Sequence, residues 1–201
     1  MPMTDLYTLT ACSYLQYLTS AVGYLEQARD QASELEMPLE DMVEASLFPD
    51  MLPLHFQVIT IAHFSDTAMH AASTSMISGP NMDLKLDFQG LIDHLNTARS
   101  HIAGLDKEQV NAVAGGEVIF QYGDTILPFT TEDFFLTYAL PSFYFHVSIA
   151  FGILRSLGVH IGVAHFLGTV RATPSPSLPA SAQQLTGAQY LDTLKPLALP
   201  Q

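Results

Sequence analysis

Tryptophan is absent from this 201-residue chain, and cysteine occurs once, as Cys12. A lone thiol excludes an intramolecular disulfide, and with no basic residue near it on its predicted helix Cys12 reads as an ordinary core side chain. Positive charge is also scarce: seven Lys and Arg stand against twenty Asp and Glu, a formal charge of -13. That field repels phosphate backbones and anionic lipid, so neither nucleic acid nor a membrane surface is an expected partner. Charged residues of both signs make up only 13% of the chain. Much of the exterior must then be neutral polar or apolar, which predicts a homodimer that buries part of it. Met1 to Leu9 lack the basic stretch and long apolar core of a leader, so the expected compartment is the cytoplasm. Pro141, Ser142, His146, Ser148 and Arg155 interrupt the stretch Phe134 to Leu157, so no apolar run is expected to reach membrane-spanning length.

What the chain does have is core material. Twelve Phe, eight Tyr and eight Met contribute to a 48% hydrophobic composition, enough for one folded domain of this length. Leu15, Leu18, Val22 and Leu25 recur at helical spacing and predict a first helix over Leu6 to Leu35, followed by a connection or short helix from Met37 to Pro49. Asp50 is expected to cap a second helix whose first turn accommodates Pro53, and whose core arc is Leu54, Val58, Ile61, Ser65, Ala68 and Ala72. Ser78 to Asn81 reads as the turn that ends it. A third helix from Asp87 to Gly104 carries the stripe Phe88, Leu91, Ile92, Leu95, Ala98 and Ile102. Between Gly115 and Phe129 the period changes to two around Gly123 and Asp124, which predicts a small β-hairpin. Thr130 or Thr131 then caps a final helix, kinked or divided at Pro141 and ending at Leu157 with Gly158 in a left-handed exit. The expected fold is mainly all-α. Residues 1–168 form the helical domain, and 169–201 form a Pro-, Ser- and Ala-rich tail.

No serine elbow, phosphate-binding loop, dinucleotide fingerprint or adjacent-turn His pair is present. Eight His raise the question of a metal. With His55 set at zero on the second helix, Asp66, His70 and His63 fall at roughly 20°, 60° and 80°, away from the apolar arc. His63 and His70 are therefore expected to face solvent or a groove, with His55 alone at the core boundary. His94 and His101 read as surface residues. His146 differs, because it sits inside Phe143 to Phe151 and a buried imidazole needs a hydrogen-bond partner or a ligand. Arg155 is expected either to pair with Asp50, Glu132 or Asp133 or to extend to solvent at the helix end. His146 and Arg155 lie about 180° apart on a regular helix, so each is expected to act separately.

The segment Leu140, Pro141, Ser142, Phe143, Tyr144, Phe145, His146, continued by Ile153, Leu154, Arg155, Leu157, Gly158, Val159, Phe166, Leu167 and Gly168, resembles the DUF1993 family. So do Pro49 to Leu54 with Gln57 and Val58, and the opening Leu6 and Tyr7. The resemblance implies a DinB-like up-and-down four-helix bundle with the hairpin inserted before the last helix. Ser142 replaces the usual Asn of the final-helix motif, and Lys85 stands where an acidic residue is common. Metal-binding proteins of the DinB-like group use one His of the second helix and a pair four apart on the fourth. Carried onto this chain, those positions are His55 or Gln57, His146 and Ala150, and alanine cannot coordinate a metal.

The expectation is therefore an uncharacterised protein with no cofactor that binds a small molecule near His146, with Asp50, Gln57, Tyr144, His146 and Arg155 as candidate ligand-binding residues. The alternative is an unusual zinc or nickel enzyme of the thiol-transfer type, with His55 and His146 as its metal ligands.

Overall fold

Helix initiation follows side-chain chemistry at several points along the chain, among them three aspartates. Asp5 accepts from the Thr8 backbone N–H at 2.8 Å, Asp87 from Gly90 at 2.7 Å and Asp106 from Gln109 at 2.9 Å, each satisfying a donor that a first helical turn leaves free. The computed structural model describes residues 5–172, 175–177, 179, 185 and 187–194. In chain order the first elements are α1 (Leu6–Leu9), α2 (Ala11–Gln31), α3 (Leu39–Glu44) and α4 (Leu54–Ala62). A π segment, His63–Thr67, joins α4 to α5 (Ala68–Thr74). There follow β1 (Met76–Ser78), α6 (Phe88–Ala103), α7 (Lys107–Ala112), β2 (Glu117–Tyr122), β3 (Thr125–Thr130) and α8 (Thr131–Asp133). A second π segment, Phe134–Ala139, leads into α9 (Leu140–Ser156), and α10 (Val163–Leu167) and α11 (Gly187–Leu194) complete the order.

The protein is mainly helical with a small sheet. α2 packs on α6 and α9, and α4 packs on the same two helices. The core between them holds Leu18 and Leu25 of α2, Leu54 and Ile61 of α4, Leu91 and Leu95 of α6, and Phe143 and Ile153 of α9, all fully buried. The sheet has the order β1-β2-β3. β2 and β3 are antiparallel, with Glu117 opposite Thr130 and Tyr122 opposite Thr125, while β1 joins β2 in parallel with Ile77 opposite Phe120. The sequence reading did not anticipate β1, because three residues are too few to display a period.

Several local expectations need correction. The first helix is divided at Thr10, whose hydroxyl turns back to the Leu6 carbonyl at 2.7 Å. The second begins at Leu54 with Pro53 in the capping position, and Asp50 lies exposed before it without capping anything. Pro141 does not divide the last helix. The Leu140 N–H bonds the Phe135 carbonyl five residues back, and this wider turn just ahead of Pro141 relieves the clash a proline ring makes with the carbonyl of an ordinary α-turn. Helix therefore runs unbroken from Thr131 to Ser156, 26 residues with a stretch of mean hydropathy 1.3, long and apolar enough by itself to cross a membrane. That overturns the expectation drawn from its interruptions, although a core helix meets the same criterion. Phe134, Phe135, Phe143, Val147, Ala150 and Leu154 of this helix are core residues here.

α9 ends in paired backbone bonds, Gly158 N–H to the Arg155 carbonyl and Val159 N–H to the Leu154 carbonyl, both 3.1 Å. Gly158 has φ +92, the left-handed geometry that glycine tolerates at this position. Of the 169–201 tail, α11 contacts α10, and much of the rest lies outside the described residues.

Candidate functional site

Gln57, on the second turn of α4, is only 3% exposed. A buried amide must place both its ends, and this one does. Its Nε2 donates to the Leu52 carbonyl at 2.7 Å, and its Oε1 lies 2.7 Å from Nδ1 of His146. The first bond fixes the second, because only the NH2 end can donate to a carbonyl and Oε1 can only accept. Nδ1 of His146 therefore carries the proton, and its Nε2 is left as an acceptor. The imidazole sits among rings: Phe64 is parallel to it at 6.3 Å, while Phe56 at 6.1 Å and Phe145 at 5.1 Å meet it edge to face. Burial in this apolar setting penalises the imidazolium and lowers the His146 pKa to about 4.

The other candidate residues lie elsewhere. Tyr144, half-buried, packs edge to face on Tyr17 at 5.1 Å. Arg155 pairs with none of the carboxylates considered from sequence; its Nη1 donates to the Val159 carbonyl at 2.8 Å and ties the guanidinium to the turn after α9. Asp50 is exposed. The structure thus joins Gln57 to His146 and leaves Asp50, Tyr144 and Arg155 apart from that pair.

His55 is 6% exposed, and its Nδ1 is buried without a hydrogen-bond partner. Burial lowers its pKa, Lys85 adds to the effect and Glu44 opposes it. Two positions on a helix are about 200° apart, so His55 and Gln57 project to opposite sides of α4. His55, His146 and Ala150 do not fit a three-ligand metal centre: Ala150 offers only a methyl group, and His55 projects from the side of α4 opposite to Gln57, the partner of His146. Among the described residues no group of three or more His, Cys, Asp or Glu is placed to hold a metal ion.

Beside the His146 pair lies a cavity of about 320 Å³ walled by Leu52, Phe56, Met82, Phe120, Tyr122 and Tyr138. Phe56 belongs both to this wall and to the ring cage of His146. Tyr138 contacts Phe64 at 5.6 Å and Phe120 at 4.8 Å. None of these aromatic residues was singled out from sequence, because in a list they are indistinguishable from core.

His63, expected to face solvent or a groove, lines a small cleft of about 150 Å³ with Asp66, Leu84 and His94, and it is only 9% exposed with Nε2 buried and unpartnered. Burial lowers its pKa to about 4, against a weaker opposing hydrogen bond donated to the Ser78 backbone. That backbone belongs to β1, which folds over this face of the helix. His101, expected at the surface, is exposed and its Nδ1 lies 2.8 Å from Oδ2 of Asp66.

A solved structure of a DinB family member protein from Shewanella denitrificans superposes with a TM-score of 0.72 and 21% identity, covering 85% of this chain and 96% of that one. At that identity the likeness establishes the fold alone. No curated protein matches. The family described as Domain of unknown function (DUF1993) matches residues 6–167, most of the chain, and the chain belongs to that family.

Proposed function

We propose that this DUF1993 protein binds a small, largely apolar molecule in the aromatic cavity beside His146, and that it does so without a metal. The observation that carries the reading is the shared position of Phe56, which lines the cavity on one side and packs against the His146 ring on the other. An apolar wall with a few fixed polar groups nearby is the usual composition of a small-molecule site. His146, held by Gln57, backs the Phe56 wall, and Leu52, Met82 and Tyr122 form an accessible apolar rim, 45%, 46% and 62% exposed. The reading extends to the scaffold. α2, α4 with its continuation, α6 and α9 are taken as an up-and-down four-helix bundle, with β2 and β3 as the hairpin inserted before the last helix.

N-phenyl-1-naphthylamine, a neutral dye that fluoresces in apolar sites, provides the test. Met82→Trp fills the cavity from its exposed rim and is expected to weaken dye binding by about tenfold, equivalent to ~1.4 kcal/mol. Val113→Trp, outside this cavity, is expected to leave binding unchanged. Equal binding by the wild-type protein and Met82→Trp would reject the site.

The same reading places the protein, soluble, in the cytoplasm as a homodimer. Phe48, Tyr122, Ile126 and Phe145 are each more than half exposed, and pairing with a second copy removes such area from water. Light scattering at micromolar concentration is expected to return twice the 22.0 kDa chain mass; a monomeric mass would refute the dimer.

A further inference from the structure

A second cleft, on the far part of the α4–α5 helix, shares no lining residue with the cavity beside His146. It encloses about 480 Å³, within the range of small-molecule sites. Its wall is apolar, built from Met69 of α5, Leu105, Val110 and Val113 around α7, and Phe135. Polar groups that join this wall include Asp66, His70, His101, Asp106 and Gln109. No Lys or Arg lines it.

Both π segments of the protein contribute to this one cleft, the first through Asp66 and Thr67 and the second through Phe135. A π turn inserts a residue into a helix at a cost, and such turns concentrate at functional sites because they re-aim side chains. In the first segment the Ser65 hydroxyl bonds back to the Ile61 carbonyl at 2.7 Å and the Ala62 carbonyl at 3.1 Å. These bonds draw helix carbonyls away from the regular ladder and support the widened turn that carries Asp66.

The carboxylates determine what charge the cleft accepts. Asp66 uses Oδ2 for His101 Nδ1 at 2.8 Å, and its side chain is 33% exposed; its Oδ1 has no hydrogen-bond partner among the described residues. Asp106 uses Oδ1 to cap α7 through the Gln109 N–H at 2.9 Å, which leaves its other oxygen for a ligand. Two carboxylates beside an apolar wall, without a compensating Lys or Arg and within a chain of formal charge -13, favour a cation and oppose an anion.

We infer that this cleft binds an amphipathic organic amine, its apolar body against Leu105, Val110 and Val113 and its ammonium group at Asp66 and Asp106. An ammonium can donate to two carboxylate oxygens at once while its hydrocarbon part leaves water, whereas a carboxylate of the same size would meet like charge. Amine recognition here is independent of the cavity beside His146.

Isothermal titration of the full chain at about pH 8, where ordinary histidine is neutral, uses three molecules of one shape: 2-phenylethylamine, 2-phenylethanol and 3-phenylpropionate. The amine is expected to bind at least about tenfold more tightly than either of the others. Asp66→Asn is expected to abolish that preference, and Val113→Trp to weaken amine binding by about tenfold through loss of volume. Met82→Trp, which fills the other cavity, is expected to leave amine binding unchanged. Three results would each overturn the inference: no amine binding at concentrations up to about 10 mM, equal binding of phenylpropionate, or an amine preference that survives Asp66→Asn in a variant whose circular dichroism is native.

Discussion

Between about pH 7 and about pH 4.5 the folded state is expected to lose several kcal/mol of stability, because its buried histidines resist the protons that the unfolded chain accepts. His63 and His146 both have pKa values lowered to about 4, and His55 and His94 move in the same direction; burial is the leading cause for all four. A folded pKa below the unfolded value of about 6.5 gives stability that is complete above that pH and falls as the medium is acidified towards 4. Within the window each such histidine contributes a slope of up to ~1.4 kcal/mol per pH unit. With partial solvent screening of His146, about 2 kcal/mol for each of the two strongest is a reasonable scale. Asp5, held low first by its side-chain bond to Lys107, acts outside this window, since its contribution is lost only below the ordinary carboxylate range. Relief of negative self-repulsion opposes the histidine effect as pH falls, so the comparison must be internal. Urea unfolding followed by circular dichroism is expected to give a shallower pH slope in His63→Gln and in His146→Gln than in the wild type. Parallel slopes in all three proteins would show that neither imidazole is buried neutral.

Phe143→Ala is expected to destabilise the protein by about 3 to 5 kcal/mol, the range for removing a fully buried aromatic ring. Phe143 is 0% exposed, meets Tyr14 edge to face at 4.8 Å and lies 5.6 Å from Tyr144. Tyr14 is itself fully buried with its hydroxyl unpartnered, so nothing polar anchors it once the opposing ring has gone. The consequence reaches the site, because Phe143 and His146 are three residues apart on α9 and therefore neighbours along the helix. Phe143→Leu, which keeps most of the volume, is expected to cost much less. Urea midpoints that place Phe143→Ala within about 1 kcal/mol of wild type would mean that the ring is not packed as described.

Much of the helical framework could be read from apolar spacing. Phe88, Leu91, Ile92, Leu95, Ala98 and Ile102 form one stripe in the sequence and are all buried on α6. The arc Leu54, Val58, Ile61, Ser65, Ala68 and Ala72 is likewise buried. Such stripes are legible because one partner surface covers one face of a regular helix. Where a second layer arrives, the rule loses its force. His63 falls outside the apolar arc, yet β1 returns across it and encloses the imidazole. The two π segments were also invisible, since a fixed angle per residue contains no provision for an inserted residue. Asp50 has the chemistry of an N-cap, but the backbone is still extended at Pro53 and the helical ladder begins at Leu54, out of reach of Asp50. Arg155 has carboxylates available in the sequence, but the tight turn at Gly158 brings the Val159 carbonyl within reach first.

The candidate site was legible only in part. An imidazole in a run as apolar as Phe143 to Phe151 needs a partner, and that alone singled out His146. Gln57 entered through its place in a family pattern, and nothing in either segment gave the 2.7 Å bond that joins them. The cavity walls come from four parts of the chain that are adjacent only after folding.

We propose above all that His146 is a neutral, Gln57-bound imidazole that binds no metal. Long-range proton–nitrogen NMR of the uniformly labelled protein reads this directly, with His146→Gln used to assign the signal and spectra taken before and after one equivalent of zinc. The expected result is the tautomer with hydrogen on Nδ1, a midpoint near pH 4, the value to which burial lowers it, and no change on adding zinc. A ring protonated on Nε2, a midpoint near the ordinary value of about 6.5, or a zinc-induced shift of the His146 nitrogens would contradict it.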